Sequence, residues 1–600
     1  MMTSSPAPDT SPLPGKAGRK LRWVYLLLAI VTASCGTWLA QLQIDQPLTG
    51  IDDANIFFTY ASNLAEGQGF IYSDGGERVE GFTSLLWTLV CTLAFLVSSR
   101  PEPLLFFTSC ILLTIAIYQS SQFLAESIQS GPRKKEIRWI VPTMMLMLCA
   151  WALATPRFMV WTTVTLMDTG LWCTVLTCGT IAFARAARHD ASGWREDRGL
   201  VGWTIAMLLT RPEAMLIVLV WIGSLAVVRL GASSDRARGS LLGRLWINCR
   251  VPLVGYLFAL GALTLFRLIY FGFPLPNTYY AKVSPNLFYN LKHGGGYFLA
   301  FVGSQLFIIP ALMVVIHGGW QALRRTMRRQ SHNDPGLVVL VAALLCSLAI
   351  PVITGGDHFN LFRFFQPCWL LLALPLLVGS GRLLGRLRRL HDNPLWAIAT
   401  LAGITVLFYS IQFPRWNELG KDEQGKDIAG IQVEFQIAAK GRLRGELLSD
   451  LFAGDNVSIG VGTAGGIGLT YQGRVIDLLG LNNIAMGHSP GDRKGGKNHA
   501  AFNKEVFFEQ LPDVVRPTLI MSHQPVPENL DQFLPGKGLF WDTALDGLER
   551  SSTRFLELYR PIVIERQGPA GEQLHLRAWC RPHVVELLRK KGTVMREIEN

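Results

Sequence analysis

The sequence predicts a polytopic α-helical membrane protein of about eleven spans, followed by an α/β domain outside the bilayer. Half of its 600 residues are hydrophobic, 17% are charged and the mean hydropathy is +0.28, an apolar excess larger than a soluble core needs. Apolar runs of about 20 residues, the length that crosses a bilayer, recur from residue 23 to residue 413. From about residue 414 they stop.

Taken in order, residues 1–20 are Pro/Ser-rich and end in basic residues, among them Lys16, Arg19 and Lys20, with Arg22 just beyond. They read as a disordered cytoplasmic tail. The apolar run 23–42 is long for a signal peptide and lacks a small-x-small cleavage site. Thr32 to Cys35 faintly imitates a lipoprotein box, but an uncleaved first span is expected. Residues 43–81 form a polar external loop. Further spans are expected at 82–98, 104–125, 139–155, 158–184, 199–229, 250–271, 297–317, 337–353, 364–380 and 395–413, the run at 199–229 being long enough to cross twice. The membrane core therefore covers 21–413, and 414–600 is a soluble domain on the far side.

The formal net charge is +12. The basic residues gather in short loops between spans, such as Arg133-Lys134-Lys135, Arg324-Arg325 with Arg328-Arg329, and Arg386 with Arg388-Arg389. That is the positive-inside pattern of cytoplasmic loops and implies no nucleic-acid partner. It puts the N-terminus in the cytoplasm and the loop 43–81, the segment 272–296, the turn 354–363 and the C-terminal domain outside. One conflict remains: two full spans at 82–98 and 104–125 would put Arg133-Lys134-Lys135 outside. Nine of the ten cysteines lie in or beside apolar runs, so the C-terminal domain, with Cys580 alone, has no disulfide framework.

Ionisable residues at membrane depth are costly and need partners or a watery cavity. Asp52, Asp53, Arg211, Glu213, Lys282, Asp357, His358 and Arg363 all fall on the external side in this topology, and they are read as one polar cavity. Glu80, Glu213, Asn277, Tyr279, Asp357 and His358 are the candidate substrate contacts on that side. A carboxylate there can take a proton from an acceptor hydroxyl, with Asp52 and Asp53 as candidates; Glu80 and Asp357 are held in reserve. Arg211, Lys282 and Arg363 can hold a phosphate and stabilise it as it leaves. An acid, cations and a membrane fit sugar transfer from a lipid phosphate.

DDANIFFTYASNLAEGQGFIYSDGGERVEGFTSLLW, the TRPEA turn, GFPLPNTYYAKV, GGDHFNLFRFFQP and AGGIGLTYQGRVIDLLGLNN occur in order between about 45 and 490. The chain thereby resembles the bacterial arabinofuranosyltransferase-type membrane glycosyltransferases of the GT-C superfamily, which include mycobacterial terminal arabinofuranosyltransferases and a pilin-modifying arabinosyltransferase of pseudomonads. The resemblance implies a GT-C-like core in the bacterial inner membrane, a catalytic Asp in the first external loop, and a polyprenyl-phosphate pentofuranose donor. It implies an acceptor that is a cell-envelope glycan, a glycolipid or a pilin-like protein, and a periplasmic C-terminal domain. Asp52 and Asp53 match the acidic pair of the loop. Asp168, in LMDTG, stands where Glu is expected in relatives. No nucleotide-sugar site and no cofactor is required; a divalent metal is left open, and no metal ligands are assigned.

Val457 to Gly468, VSIGVGTAGGIG, with Asp477 beyond it, imitates a dinucleotide loop. Its glycine spacing is imperfect, so turns in an α/β domain are the expected reading. Gly491 to Asn498 is a Lys/Gly-rich loop. Two other functions stay open on sequence: a transferase of another polyprenyl-phosphate sugar, such as mannose or an aminopentose, and a transporter of lipid-linked sugars. A transporter would favour internal repeats, and none is visible.

Overall fold

A computed structural model of the chain describes residues 16–129, 140–189, 194–232, 240–330, 334–384, 430–489, 501–534 and 543–598. The helices of the first part are α1 (Lys16–Ile44), α2 (Asp52–Ala65), α3 (Leu85–Val97), α4 (Glu102–Gln129), α5 (Ile140–Leu153), α6 (Pro156–Met159, continued by a π turn Val160–Val164), α7 (Thr169–Ala186), α8 (Trp194–Thr210), α9 (Ala214–Ala232), α10 (Leu241–Tyr270), α11 (Asn277–Lys282), α12 (Leu287–Ser304), α13 (Ile308–Met327), α14 (Gly336–Thr354) and α15 (Trp369–Leu384).

Among the described residues six helices are long and apolar enough to cross a membrane: parts of α1, α4, α9, α10 and α14, and the segment Arg363–Leu384 that ends in α15. Two further pairs qualify only as bent units, Ile140–Leu153 with Pro156–Val164 at 77°, and Leu287–Ser304 with Ile308–Met327 at 105°. The expected straight spans 158–184 and 297–317 are thus not formed. The first is interrupted between Val164 and Thr169, and the second lies across the 105° bend. The run 199–229 is two helices, broken at the Arg211 turn. The expected span 395–413 lies outside the described residues.

Helix length also addresses the conflict over residues 82–125. With 13 residues, α3 rises about 20 Å, short of the ~30 Å of a hydrocarbon core, whereas α4 has 28 residues. Of the two, α4 alone is long enough to cross; Arg133-Lys134-Lys135 lies outside the described residues.

The polar end of the bundle is shaped by special backbone. At the end of α14, Gly355 and Gly356 are left-handed (φ 94° and 72°), which stops the helix and begins the turn carrying Asp357. Leu361 and Phe362 are also left-handed (φ 64° and 55°), a strained pair for side chains of that size. The chain then enters a 3-10 turn (Arg363–Cys368) whose first residue is the expected cation.

The C-terminal region starts with α16 (Gly430–Leu451) and holds a six-stranded sheet of order β2-β1-β3-β5-β4-β6. Its strands are β1 (Ile459–Val461), β2 (Val475–Asp477), β3 (Val514–Ile520), β4 (Arg560–Gln567), β5 (Gln573–Cys580) and β6 (Met595–Glu597). β1 pairs in parallel with β2 and β3, and the other pairings are antiparallel. Between β1 and β2 lies the short helix α17 (Gly465–Thr470). Phe435, Leu448, Ile459 and Ile467 join the apolar core of the helical bundle, while Phe507, Phe555, Tyr559 and Trp579 form a second core. The α/β region is therefore packed onto the bundle by shared apolar burial, the largest driving force available to it.

Candidate functional site

The acidic pair lies at the start of a helix. α2 begins at Asp52, with Ile51 in the cap position and no side-chain capping bond, so the pair does not serve as a helix cap. Consecutive helical residues point about 100° apart, and the two carboxylates go to different places. Asp52 is buried and accepts N–H bonds from Gly465 at 3.0 Å and Gly466 at 2.9 Å. This is the N-terminus of α17, the spot where a dinucleotide loop would take a phosphate. Glycine is needed there for approach: a Cβ on Gly465 would lie 1.8 Å from the Asp52 carbonyl oxygen, and one on Gly466 would lie 2.2 Å from that of Ala438. Burial pushes the Asp52 carboxyl up, with the two N–H bonds opposing it.

Asp53 keeps 22% of its side-chain surface exposed and sits 3.5 Å from the Lys282 ammonium and 3.4 Å from the Arg363 guanidinium. Burial acts to raise its carboxyl, but Lys282 and Arg363 outweigh burial and hold it below the ordinary value. Arg363 also pairs with Asp357 at 2.7 Å and lies over the rings of Phe359 and Phe364. His358 lies 3.4 Å from Asp357. Burial raises the Asp357 carboxyl, and Arg363 and His358 reverse that and hold it well below the carboxylate range. Asp53, Lys282, Asp357, His358 and Arg363 thus form one cluster, drawn from α2, α11 and the turn after α14.

The remaining candidates are placed differently. Arg211 is buried and saturated, with Asp168 at 3.0 Å and Glu213 at 3.2 Å. Glu80 is buried against Arg267, 2.8 Å away. The Asn277 amide donates to the carbonyls of Gly480 and Leu481 and so ties α11 to the C-terminal region. Tyr279 is exposed along the rim of a cavity.

Two cavities meet at the cluster. One, of about 300 Å³, runs among Phe57, Phe82, Met215, Leu216, Tyr279 and Ile350, with Arg211, Lys282 and Arg363 at its polar end. The other, of about 310 Å³, lies between the bundle and the C-terminal region and is lined by Asp52, His358, Phe359, Glu434, Thr463 and Asp477. Asp53 and Lys282 line both.

No protein-family profile matches the chain, and no curated protein does. Solved structures do align with the chain at low similarity. The archaeal oligosaccharyltransferase AglB from Archaeoglobus fulgidus, in complex with an inhibitory peptide and a dolichol-phosphate, aligns over 93% of this chain and 74% of its own at 11% identity and a TM-score of 0.49. ArnT from Cupriavidus metallidurans, bound to undecaprenyl phosphate, aligns over 93% of this chain and 98% of its own at 14% identity and a TM-score of 0.46. At such values neither likeness carries an argument, and no residue role is carried over from either protein.

Two participants, Glu434 and Arg442, were not picked out from the sequence, and a third, Asp168, was noted there without its partner. Glu434, on α16, lines the second cavity. Arg442, also on α16, donates to Asn55 at 2.7 Å and to the Thr49 carbonyl at 3.1 Å, and pairs with Glu102 at 2.5 Å, fastening the C-terminal region beside the acidic pair. Asp168 emerges as a partner of Arg211. A charge inside the apolar stretch around LMDTG was the signal for Asp168. Glu434 and Arg442 stand in a stretch of ordinary amphipathic character, where only the packing of α16 reveals them. Among the described residues there is no cluster of His, Cys, Asp and Glu suited to a metal ion.

Proposed function

We propose that the chain transfers a sugar from a polyprenyl-phosphate donor to an acceptor hydroxyl outside the membrane. The observation that carries this reading is that Asp53 and Lys282 line both a largely apolar cavity and a second cavity with a more polar lining. The apolar cavity suits the first part of a lipid chain, with Lys282 and Arg363 at its end for the phosphate. The polar cavity suits a glycan-bearing acceptor, and Asp53 stands where the two substrates would meet.

The acceptor oxygen forms a bond to the anomeric carbon as the bond from that carbon to the phosphate oxygen breaks. The acceptor proton passes to Asp53, and the departing phosphate keeps the bonding electron pair beside Lys282 and Arg363. With those two cations beside it, Asp53 is a weak base. A donor phosphate would draw the cations toward itself, so donor binding makes Asp53 more basic at the moment a base is needed. Asp52 is a positioning residue, held by Gly465 and Gly466. Arg211 acts from within its carboxylate pair as part of the cavity wall.

Arabinofuranose is the proposed sugar, supported by the five ordered motifs, with a cell-envelope glycan as acceptor and the periplasmic face of the inner membrane as the place of reaction. The test is incubation of purified protein with labelled polyprenyl-phosphoryl arabinofuranose, mannose and aminopentose. Release or transfer of label from the arabinofuranosyl lipid alone is the expected result. Movement of intact lipid across vesicles without cleavage would establish transport instead.

A further inference from the structure

The polar cavity contains a carboxyl for which the transfer reaction above has no use. Glu434 projects from α16 into the cavity that Asp53, Lys282, His358 and Phe359 also line. The other carboxylates there are engaged: Asp52 by Gly465 and Gly466, Asp53 by Lys282 and Arg363, and Asp477 by the N–H groups of Leu479 and Asn482. Among the described residues, the Glu434 carboxyl forms neither a hydrogen bond nor an ion pair.

The charged groups around it are Asp52 and Asp53 on α2, Lys282 on α11, Asp357, His358 and Arg363 after α14, Asp477 on β2, and Arg444 on its own helix. Arg363 is committed to Asp357 and Asp53, and Arg444 reaches the Thr463 hydroxyl. Burial, with Asp53 and Asp52 adding to it, pushes the Glu434 carboxyl up to about 8. At neutral pH it is therefore an uncharged acid with one O–H to donate and oxygens that accept, which is also what a carbohydrate hydroxyl offers in return. The rest of the lining carries three acidic side chains, Asp52, Asp53 and Asp477, against the ammonium of Lys282, which Asp53 already meets at 3.5 Å, so an added anion would face an excess of acidic groups.

We propose that Glu434 is the residue that binds the acceptor in this cavity and confines it to uncharged, hydroxyl-bearing glycan ends, excluding uronic acids and sugar phosphates. The inference rests on the transfer reading for which substrate occupies this cavity, and on the cavity itself for the chemistry of recognition.

The experiment uses the full chain in nanodiscs and ligand-observed NMR with a panel of neutral disaccharides and their matched uronic-acid counterparts. At least one neutral disaccharide should bind at pH 7, with each uronic acid at least about tenfold weaker. Glu434→Ala should weaken the neutral ligand about tenfold, roughly the value of one or two hydrogen bonds. Glu434→Gln, which keeps a donor and an acceptor without a titratable proton, should stay within about threefold of wild type. Wild-type binding should fall on going from pH 7 to pH 9, and that of Glu434→Gln should not. Elution and melting temperature check that each variant is folded. Unchanged binding by a folded Glu434→Ala, equal binding of uronic acids, a pH-independent wild type, or no neutral binder would each overturn the proposal. Hydrolysis of labelled donor without any acceptor tests the transfer reading by itself. Glu434-dependent disaccharide binding without donor cleavage would sink that reading and leave standing only the recognition of neutral glycan ends by Glu434, not its role toward a transfer acceptor.

Discussion

Exchanging one carboxylate of the acidic pair for an amide separates the two residues by what they do. Asp53→Asn nearly preserves shape and removes the carboxylate proposed as the base, and loss of a general base lowers turnover about 10²- to 10⁴-fold. It also releases Lys282 and Arg363 from the carboxylate that lies 3.5 and 3.4 Å from them, so donor affinity should be kept or improved. Asp52→Asn acts elsewhere. Asp52 accepts two N–H bonds, at 2.9 and 3.0 Å, and an amide can accept only one in the same pose, while its NH2 faces the other N–H. The loss is about 1.5–3 kcal/mol for a charge-assisted bond, and it falls on the docking of the C-terminal region. Asp52→Asn should therefore melt a few degrees lower and retain a larger share of its turnover. The assay is single-turnover release of labelled sugar at saturating donor, with melting followed on the same preparations. Near-normal turnover by Asp53→Asn, or an equal collapse of both variants with both fully folded, would refute the division of labour.

Lys282→Ala should weaken donor binding about tenfold or more, each charge-assisted contact being worth about 1.5–3 kcal/mol; unchanged affinity in a lipid-phosphate titration would remove Lys282 from that role. Arg211→Met should destabilise the protein by about 3–5 kcal/mol, because it strands the buried Asp168 and Glu213 charges, and thermal melting with a partial rescue by Asp168→Asn checks it. Glu434 releases its proton near its ordinary 4.5 when unfolded and near 8 when folded, so between those values the folded chain holds a proton the unfolded chain has lost. Its contribution to stability is full below pH 4.5 and declines as pH rises toward 8. Glu434→Gln should flatten that decline in melting curves taken from pH 5 to pH 8, and parallel curves would be the contrary result. Cysteine labelling should reach positions in 430–489 from outside and 320–330 only after permeabilisation; labelling of both from one side would overturn the topology.

The helical, multi-span character of the chain was legible because a bilayer demands long apolar runs, and the polar cluster was legible because charges at that depth are conspicuous. Asp53, Lys282, Asp357, His358 and Arg363 do converge. What sequence could not supply was pairing. Arg211 and Glu80 looked like free working groups, yet each is met by a partner, Asp168 and Arg267, that stands 43 and 187 residues away. Apolar content likewise could not tell a 13-residue helix from a span, or a straight run from one bent by 105°. The glycines of VSIGVGTAGGIG imitated a nucleotide loop because the physical need is the same: backbone N–H groups with nothing in front of them, here open to a carboxylate of the same chain.

The latch between Asp52 and Gly465-Gly466 limits how such a protein can be rebuilt. A chimera that exchanges residues 430–600 for a foreign domain would also remove the two N–H groups that orient Asp52, and with them the Arg442 contacts to Thr49 and Asn55. The inheritable unit is then neither the bundle nor the sheet. It is residues 49–55 together with 438–466, two short stretches nearly 400 positions apart that would have to travel as a pair.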